Sequence, residues 1–600
     1  IISIFLFVNY LFNPSVVNSF ELYTWLHSDK FIFNLGFLVD SLSIFMAFVV
    51  TLVSFLIHVY SIGYMKDDKG YNRFFIYTTF FTFSMLLIVF ANNFLQLFIG
   101  WELVGLSSYL LIGFWVEKES AILANLKAFI VNRTGDVGLI LGVCLVFIYC
   151  ESLDYSVFFK SLDSLSNESL SLFGHDISVL PLIALLLFIG AAAKSAQIPL
   201  QFWLPDSMEG PTPISALIHA ATMVTAGIFM IARLSPLYDQ SGYVLNLILI
   251  IGCVTALSMG LVALVQNDIK RIIAYSTISQ LGYMTVALGA SYYSLAIFHL
   301  MTHAFYKALL FLCAGSIILK CHHEQDIRRM GGLKTIMPIT YMTFVIGGLS
   351  LIGLPTLSGF FSKELIVDAL KFKELPIAYY TLIIGIFVTI LYTSKIFFRV
   401  FLGRSNANNV NKDEAEHSKI ILVPLGVLAA LSILVGLALF DPIVKENFFS
   451  SSLTDTTRMT NFYQSYIINS HSFIINSFMS LNFLILVLGL LISYLIFLKY
   501  PTIVDRTKEN FHGLYKILTS EYGFTYLANI YFPQQFKKIS NILWKSSDEK
   551  IIDGYFVNGV ANLINNLSLK IRNIQSGYLY HYAFTMIISL VLFLLFFYDF

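Results

Sequence analysis

The sequence predicts an all-α polytopic membrane protein with about fifteen transmembrane helices. Of the 600 residues, 57% are hydrophobic and only 12% are charged, whereas a soluble domain carries about 25% charged residues. The apolar residues also fall in repeated runs close to the ~20 residues that a helix needs to cross a hydrocarbon core. Strands are excluded as spans, because an unpaired strand cannot satisfy its backbone in lipid and these runs are too long for barrel strands.

Apolar runs bounded by glycine, proline or charge define the predicted spans. The runs lie near 1–12 (a partial span), 35–62, 74–91, 93–115, 121–150, 177–199, 213–233, 244–266, 271–290, 292–320, 335–354, 360–372 with 377–403, 418–440, 477–499 and 578–598. The chain opens without methionine inside the first of these runs, so we expect its first hairpin to be incomplete.

The loops between these spans alternate in charge. The loops on one side of the predicted membrane are 63–73, 116–120, 204–212, 266–271 and 321–334, and together they carry Lys66, Lys69, Arg73, Lys118, Lys270, Arg271, Arg328, Arg329 and Lys334. The opposite side has the long loop 151–176, where acidic residues face only Lys160. The positive-inside rule then assigns the basic loops to the cytoplasm or the mitochondrial matrix. The net charge of +1 offers no general attraction to nucleic acid.

The last hundred residues differ from the rest of the chain. Residues 501–577 mix charged and apolar side chains, and the apolar positions between Ile539 and Leu567 recur mostly every three or four residues. This spacing is typical of one face of a helix and predicts a helix that lies along the membrane surface. A soluble cap or tail remains the alternative. The apolar run at 578–598 predicts a final span that anchors the segment.

Several predicted spans contain ionisable residues. An ionisable side chain at the centre of a span costs about 2.5 to 3.5 kcal/mol on insertion scales, so each one is a functional candidate. The first set is Glu102, Arg133, Asp136, Lys194 and His219. A static salt bridge that only holds helices together explains one such pair as well as function does, but explains a whole series less well.

The strongest local pattern is His299, His303 and Lys307. Steps of four residues keep the three within a stripe of about 80° that extends ~12 Å along one helix. Histidine gains and loses protons near neutral pH, and burial favours the neutral form of a lysine, so the row is suited to proton transfer. Metal or haem ligation and ordinary polar packing are the alternatives. The five cysteines include no C-x-x-C pair, which excludes an iron-sulfur site.

Two spans are interrupted by proline and glycine. The first break contains Pro199 and Pro205, and the second contains Pro355 and Gly359. Each adjoins a lysine, Lys194 in the first case and Lys363 in the second. Interrupted helices at matching positions of two halves are typical of inverted-repeat transporters, because free backbone is tolerated in a membrane only beside a polar cavity.

Several motifs closely resemble the chain 5 family of the proton-pumping NADH:ubiquinone oxidoreductase, respiratory complex I. They are FLVDSLSIFM, YNRFFIYTTFF, GWELVGLSSYLLIGFW, NRTGDVG, KSAQIPLQFWLPDSMEGPTPISALIHAATMVTAG, QNDIKRIIAYSTISQLGYM, FHLMTHAFYKALLFLCAGSII and SGFFSKE. The resemblance covers almost the whole chain. Over the core it extends to the large subunit of Mrp-type sodium/proton antiporters.

The resemblance implies proton-transfer roles for nine residues. Glu102 matches the glutamate that pairs with the lysine of the broken helix, here Lys194, and Asp136 matches an acidic neighbour of that pair. The other matched residues are His219, His299, His303, Lys307, Lys363 and Glu364. Glu364 stands where many relatives have aspartate, a change that keeps the charge.

The resemblance also implies a division of the chain. The expected regions are N-terminal spans (1–92), a first half-channel (93–235), a second half-channel (236–403), additional spans (404–500), a lateral amphipathic helix (501–577) and an anchor span (578–600).

No nicotinamide, flavin or quinone fingerprint appears, so we expect no cofactor or metal in this chain. The family implies NADH, FMN, iron-sulfur clusters and ubiquinone in other subunits. The implied partners are other membrane-arm subunits, especially the antiporter-like chains 4 and 2, together with lipids and protons but no nucleic acid. Abundant Phe, Tyr, Ile and Asn suggest an AT-rich genome, and hence an organelle-encoded chain of the mitochondrial inner membrane. A stand-alone antiporter and a scaffold with inert charges remain open.

Overall fold

The computed structural model describes residues 1–13, 17–28, 31–172, 174–403, 416–466 and 470–598. The chain divides into two units, 1–522 and 523–600, and each is described by itself. The predicted helical membrane fold is confirmed. The start of the predicted region of additional spans, residues 404–415, lies outside the described residues.

The first unit begins with a short helix, a hairpin and four long helices. These are α1 (Ile2–Phe12), β1 (Asn18–Ser28), β2 (Phe31–Val39), α2 (Ser41–Tyr64), α3 (Tyr71–Val89), α4 (Phe94–Ile112) and α5 (Glu119–Cys150). The two strands pair in antiparallel register from Asn18 opposite Val39 to Ser28 opposite Phe31.

The predicted start of the second span at residue 35 is wrong, because the hairpin runs to residue 39. Asp40 then caps α2. Its Oδ1 accepts the Ser43 backbone N–H at 2.8 Å, and its own N–H donates to the Ser43 hydroxyl at 2.8 Å. Such a reciprocal cap satisfies two free N–H groups of the first turn, which sets the start of the helix at Ser41.

The middle of the first unit contains the first interrupted span. The elements are α6 (Tyr155–Leu165), β3 (Ser169–Leu172), β4 (His175–Ser178), α7 (Val179–Lys194), α8 (Thr212–Ala220), α9 (Met223–Arg233), α10 (Ser235–Asp239), α11 (Gly242–Val265), α12 (Ile269–Gly289) and α13 (Tyr293–Lys320). Between α7 and α8 lie only two short 3₁₀ turns, Gln201–Trp203 and Asp206–Glu209. The break predicted at Pro199 and Pro205 is therefore present.

The rest of the first unit contains the second interrupted span. The helices are α14 (Pro338–Ile352), α15 (Ser358–Phe372), α16 (Pro376–Phe397), α17 (Lys419–Phe440), α18 (Thr456–Tyr466), α19 (Ser470–Ser477), α20 (Leu481–Tyr494), α21 (Thr502–Asn510) and α22 (His512–Thr519). Pro355 lies in the break between α14 and α15, whereas Gly359 lies in the first turn of α15. A Cβ at Gly359 would stand 2.0 Å from the Ser350 carbonyl oxygen, so only glycine permits this close approach.

Eleven helices within the described residues are long and apolar enough to cross a membrane. Shorter apolar helices, α1, α7 and α14, also occupy predicted spans, and so do the more polar α12 and α15, so the structure is consistent with the predicted number. The core surrounds α13, which is buried along nearly its whole length. This helix packs against α2, α8, α12, α14, α15 and α17.

Contacts between loops agree with the predicted sidedness. On the basic side, the Ser120 hydroxyl donates to Glu209 at 2.9 Å, and Arg271 approaches Asp206 at 3.5 Å. On the other side, the Gln240 amide donates to Asp163 at 3.1 Å. Loops predicted on the same side are therefore neighbours in space.

The second unit is a continuous helical stretch followed by a separate apolar helix. Its helices are α23 (Phe524–Tyr526), α24 (Phe532–Leu543), α25 (Asn558–Ile574) and α26 (Leu579–Tyr598). The first three are joined by π-helical segments at Leu527–Tyr531 and Trp544–Val557. The apolar side chains that recur every three or four residues, such as Ile539, Ile542 and Leu543, are at least half exposed within the unit.

Candidate functional site

The first set of intramembrane charges lies between α4, α5 and the end of α7. Arg133 Nη1 donates to Glu102 Oε1 at 2.7 Å, so Glu102 pairs with Arg133 and not with Lys194 in this structure. Asp136 is buried and accepts the indole N–H of Trp101 at 2.7 Å. Both carboxylates therefore lie next to α7, and each accepts a hydrogen bond from a different donor.

Lys194 is the last residue of α7 and is fully buried. Its Nζ lies 5.7 Å from the centre of the Trp101 ring and has no hydrogen-bond partner among the described residues. A Cβ at Gly105 would lie 3.0 Å from this Nζ, so Gly105 leaves room for the ammonium group. Because a buried charge without a hydrogen bond is costly, this lysine is poised to change its partner or its protonation.

Side chains in the break after Lys194 donate hydrogen bonds to backbone carbonyls of the neighbouring helices α7 and α9. Trp203 Nε1 donates to the Ala193 carbonyl at 3.0 Å, and the Ser195 hydroxyl donates to the Val224 carbonyl at 2.8 Å. Unwound backbone within a membrane needs such partners. The Trp203 side chain therefore satisfies a carbonyl in the last turn of α7, next to Lys194.

His219 lies near the end of α8 and is fully buried. Its Nε2 is 2.9 Å from the Ser207 hydroxyl, in the 3₁₀ turn that follows the first break. The predicted span 213–233 is present as Thr212–Arg233, but its helix is interrupted at Ala221 and Thr222, directly after this histidine.

The interruption after α8 lies beside α13. The carbonyl that it frees, that of Ala220, lies 3.3 Å from His303 Nδ1 on α13. His303 thus contacts the backbone of the residue that follows His219.

The row predicted on α13 is present, and all three side chains are fully buried. The rings of His299 and His303 are 6.4 Å apart between centres, and Lys307 donates to the Ser276 hydroxyl. His299 bridges two other helices, since its Nδ1 lies 2.8 Å from Ser362 Oγ and its Nε2 lies 3.3 Å from Gln280 Oε1. The polar side chains of α12 therefore face the row.

Lys363 and Glu364 follow the second break on α15. Lys363 Nζ lies 3.5 Å from the Leu351 carbonyl and 5.1 Å from the centre of the Tyr283 ring. Glu364 Oε1 accepts the side-chain N–H of Asn482 at 2.7 Å. Both residues line a cavity of about 20 Å³, which is enough for one water molecule.

Sequence reasoning missed the neutral partners of the charged row. These are Trp101, Ser276, Gln280, Ser362 and Asn482. A signal was available for Trp101, since a buried indole N–H usually finds an acceptor and the residue adjoins Glu102. For the others, an isolated Ser, Gln or Asn in an apolar run gives no indication of the helix that it faces.

The described residues contain no group of three or more His, Cys, Asp or Glu side chains that could hold a metal ion. The geometry of the site instead suits proton transfer between side chains, because histidines, lysines and carboxylates alternate with hydroxyl and amide groups. Several of these groups have nitrogen atoms without a partner in the described part of the chain, including His219 Nδ1, His303 Nε2 and Gln280 Nε2.

The end of α13 nearest the acidic loops is capped by a buried carboxylate. Asp455 Oδ2 accepts the Ser294 backbone N–H and its Oδ1 accepts the Ser294 hydroxyl, both at 2.8 Å. Burial raises the pKa of Asp455 to about 6, although the hydrogen bonds from Ser294 and the charge of Arg458 oppose the rise. A raised pKa in the folded state means that the folded protein binds this proton more tightly than the unfolded chain.

We therefore expect Asp455 to make stability depend on pH. Its contribution is fully present below about pH 4 and is lost as the pH rises through about 6, amounting to about 3 kcal/mol at most. Asp455→Asn should remove this dependence, whereas Glu168→Gln, at an exposed acidic residue, should not. Thermal unfolding of the purified protein between pH 4.5 and 7.5 measures it, and identical pH profiles for wild type and Asp455→Asn would contradict it.

The fold and the site define an antiporter-like membrane protein, with helices interrupted after α7, α8 and α14 and with several buried titratable groups. A family model for the transmembrane region of NADH:quinone oxidoreductase and Mrp antiporters matches residues 91–394. A second model, for the chain 5 N-terminus of NADH-ubiquinone oxidoreductase (complex I), matches residues 25–75.

Two relatives are similar over most of their length. NADH-quinone oxidoreductase subunit L of Neisseria meningitidis serogroup A is 44% identical, and the alignment covers 96% of this chain and 89% of the relative. NADH-ubiquinone oxidoreductase chain 5 of Phytophthora infestans is 41% identical, with 96% and 88% covered. The chain belongs to this chain 5/subunit L family of complex I.

A solved structure is similar in fold. The structure of the Mrp complex from Dietzia sp. DQ12-45-1b matches with a TM-score of 0.71 and 23% identity. The match covers 95% of this chain and 60% of the Mrp chain, so this chain spans less than two thirds of that protein.

Proposed function

We propose that this chain is a proton-translocating subunit of the membrane arm of NADH:ubiquinone oxidoreductase, which couples electron transfer from NADH to ubiquinone to proton pumping. The observation that carries the proposal is that Lys194, His219, His299, His303 and Lys363 are all buried ionisable residues on or beside interrupted helices. Family membership supports the assignment to complex I, and these residues support a proton path in this subunit.

In the first half, Lys194 is the group that changes protonation. Glu102 and Asp136 are its acidic neighbours, and Arg133 holds Glu102 in the present arrangement. A carboxylate brought close to a buried lysine favours the protonated form, and its withdrawal favours release of the proton. Exchange of Glu102 between Arg133 and Lys194 therefore moves a proton onto or off the lysine.

His219, in the first half, receives the proton and passes it to the α13 row of the second half. The Ala220 carbonyl lies beside His303, and His299 lies within hydrogen-bond distance of Ser362, the residue before Lys363. Lys307, also on α13, is a further group that can hold a proton. Lys363 and Glu364 then release the proton from the small cavity beside the second break.

The same proposal includes the organisation of the chain. We divide it into N-terminal spans (1–92), two half-channels (93–235 and 236–403), additional spans (404–500), a lateral helix (501–577) and an anchor span (578–600). Exposed apolar residues that recur along 539–567 support a helix that rests on neighbouring antiporter-like chains, those called chains 4 and 2.

The assignment to complex I also implies where the cofactors are held and where the chain is located. NADH, FMN, iron-sulfur clusters and ubiquinone are proposed to be held by other subunits. The relative from Phytophthora, a chain 5 protein, supports a location in the mitochondrial inner membrane with the basic loops in the matrix.

Purification in a mild detergent tests the assignment to complex I. An affinity tag on this chain should recover an assembly that oxidises NADH and reduces a soluble ubiquinone. A monomer, or an assembly without NADH dehydrogenase activity, would instead support a stand-alone sodium/proton antiporter. Reconstitution of the recovered assembly into vesicles then tests whether oxidation of NADH acidifies the lumen. If the chain is a scaffold with inert charges, pumping should stay normal when the buried ionisable residues are replaced.

A further inference from the structure

Two acidic residues follow Lys363 along one face of α15, and the proposed path includes only the first. Glu364 and Asp368 are four residues apart, which puts them on neighbouring turns of the same helix face. Glu364 is 9% exposed and Asp368 is partly buried. From Glu364 to Asp368 the helix runs away from the break and towards its C-terminal end.

That end of α15 lies on the side of the acidic loops. Lys373, the residue after α15, donates to the Ala290 carbonyl at 2.8 Å, and Ala290 follows the end of α12. Lys371, one turn beyond Asp368, is exposed and lies 5.9 Å from the centre of the Tyr466 ring. Asp368 is thus about 6 Å along the axis from the end of the helix at Phe372.

A second element, α20, closes the site from the other side. Asn482 donates from Nδ2 to Glu364 Oε1 at 2.7 Å, and its own Oδ1 has no hydrogen-bond partner among the described residues. Both Asn482 and Ser480 line the cavity of about 20 Å³ that Lys363 and Glu364 share. A buried amide oxygen without a partner is costly, and a water in this cavity is of the right size to satisfy it.

We propose that Asp368 is the proton-release group of this subunit and that Asn482 positions Glu364 to supply it. The inference rests on the proposed function and extends it beyond Lys363. The N–H bond of the Lys363 ammonium breaks as a water in the cavity passes a proton to the Glu364 carboxylate. The Glu364 carboxyl O–H then breaks as the Asp368 carboxyl O–H forms, and Asp368 finally gives the proton to bulk water.

The difference in exposure between the two carboxylates explains why the transfer has a direction. Two ionised carboxylates four residues apart on a helix repel each other, and a proton on either one removes the repulsion. Asp368 is more exposed than Glu364, so it is the one that bulk water reaches. If Asp368 had only a structural role, balancing the charge of Lys371, any polar or acidic side chain would serve at this position. That side chain would never exchange a proton.

Proton pumping by the whole reconstituted complex tests the proposal. Asp368→Asn keeps the size and polarity of the side chain but cannot carry a proton as a carboxyl group does, so pumping should fall by roughly tenfold or more. Asp368→Glu should retain pumping. The matched control is Glu374→Gln, which removes an exposed acidic charge just past the same helix and should leave pumping unchanged.

Chemical rescue separates proton release from a structural role. Formate added on the side of the acidic loops should restore pumping in part to Asp368→Asn, because a small acid can carry the missing proton, and should not affect Glu374→Gln. Asn482→Leu should also reduce pumping, without loss of assembled complex. Normal pumping by Asp368→Asn, failure of that variant to assemble, or absence of rescue would each overturn the proposal.

The same assay distinguishes this inference from the proposed function. Arginine at position 363 keeps the charge but is effectively never deprotonated. If Lys363→Arg stops pumping while Asp368→Asn does not, the path exists but does not leave through Asp368. If neither variant affects pumping, the proposed proton path itself is wrong.

Discussion

Replacing Lys307 with methionine is expected to stop proton pumping while the complex still assembles. Lys307 is fully buried, and its hydrogen-bond partner is the neutral hydroxyl of Ser276. Methionine therefore leaves no opposite charge unpaired, and replacing a buried charge by an apolar side chain is often neutral or stabilising. Because a positioned proton-transfer group contributes on the order of 10²- to 10⁴-fold, pumping coupled to NADH oxidation should fall at least tenfold.

The matched control is the same substitution at a second buried lysine. Lys395 donates to the carbonyls of Leu264 at 2.9 Å and of Gln266 at 2.5 Å, so it caps the end of α11. Lys395→Met should lower the amount of assembled complex but leave the pumping rate per complex unchanged. If Lys307→Met pumps at the wild-type rate per complex, Lys307 is not part of the proton path.

Replacing Glu102 with glutamine is expected to reduce pumping strongly and to leave assembly largely intact. The glutamine carbonyl can still accept the hydrogen bond that Arg133 donates to Glu102, so the contact between α4 and α5 persists. The negative charge that would favour a protonated Lys194 is lost, and with it the exchange of partners that drives the proton. We expect a decrease of roughly tenfold in pumping and in coupled NADH oxidation.

Glu117→Gln is a suitable control, because Glu117 is an exposed acidic residue shortly after α4. It should pump like the wild type, as measured by acidification of vesicles that contain equal amounts of assembled complex. Wild-type pumping by Glu102→Gln would show that the pair with Arg133 is a static salt bridge.

Much of the fold could be predicted, because lipid leaves the chain few alternatives. Long apolar runs in a membrane must be helical, and each predicted run corresponds to a helix or an interrupted pair of helices. The hairpin at 18–39 was missed, since its apolar residues also suit the start of a span. The reciprocal cap between Asp40 and Ser43 was a sequence signal that would have corrected the boundary.

The candidate site could be predicted only along single helices. His299, His303 and Lys307 share one stripe because of helical spacing alone, and the structure brings them together with Gln280 and Ser276 of α12. The partner of Glu102 was not predictable, because it depends on how α4 and α5 are rotated about their axes. Spacing within one helix contains no information about that rotation.

The interruption after His219 is a second feature that the sequence alone does not predict. Neither proline nor glycine stands at Ala221 or Thr222, so the local sequence gives no reason to end a helix there. The break is held by contacts from distant residues, among them the hydrogen bond between His303 and the Ala220 carbonyl. Such an interruption is set by tertiary packing, and it is also where the two halves of the proposed path meet.

The most direct test of the proton path is a structure of the assembled complex during turnover, at a resolution that reveals ordered water. The path requires a chain of waters and side chains, each within hydrogen-bond distance of the next, that joins Lys194, His219, the α13 row and Lys363 and continues to Glu364. We expect this chain to be continuous in at least one state, with water at the unpartnered atoms of His219 and His303. If a dry apolar gap separates His219 from His303 in every state captured, the buried charges are a scaffold and not a proton path.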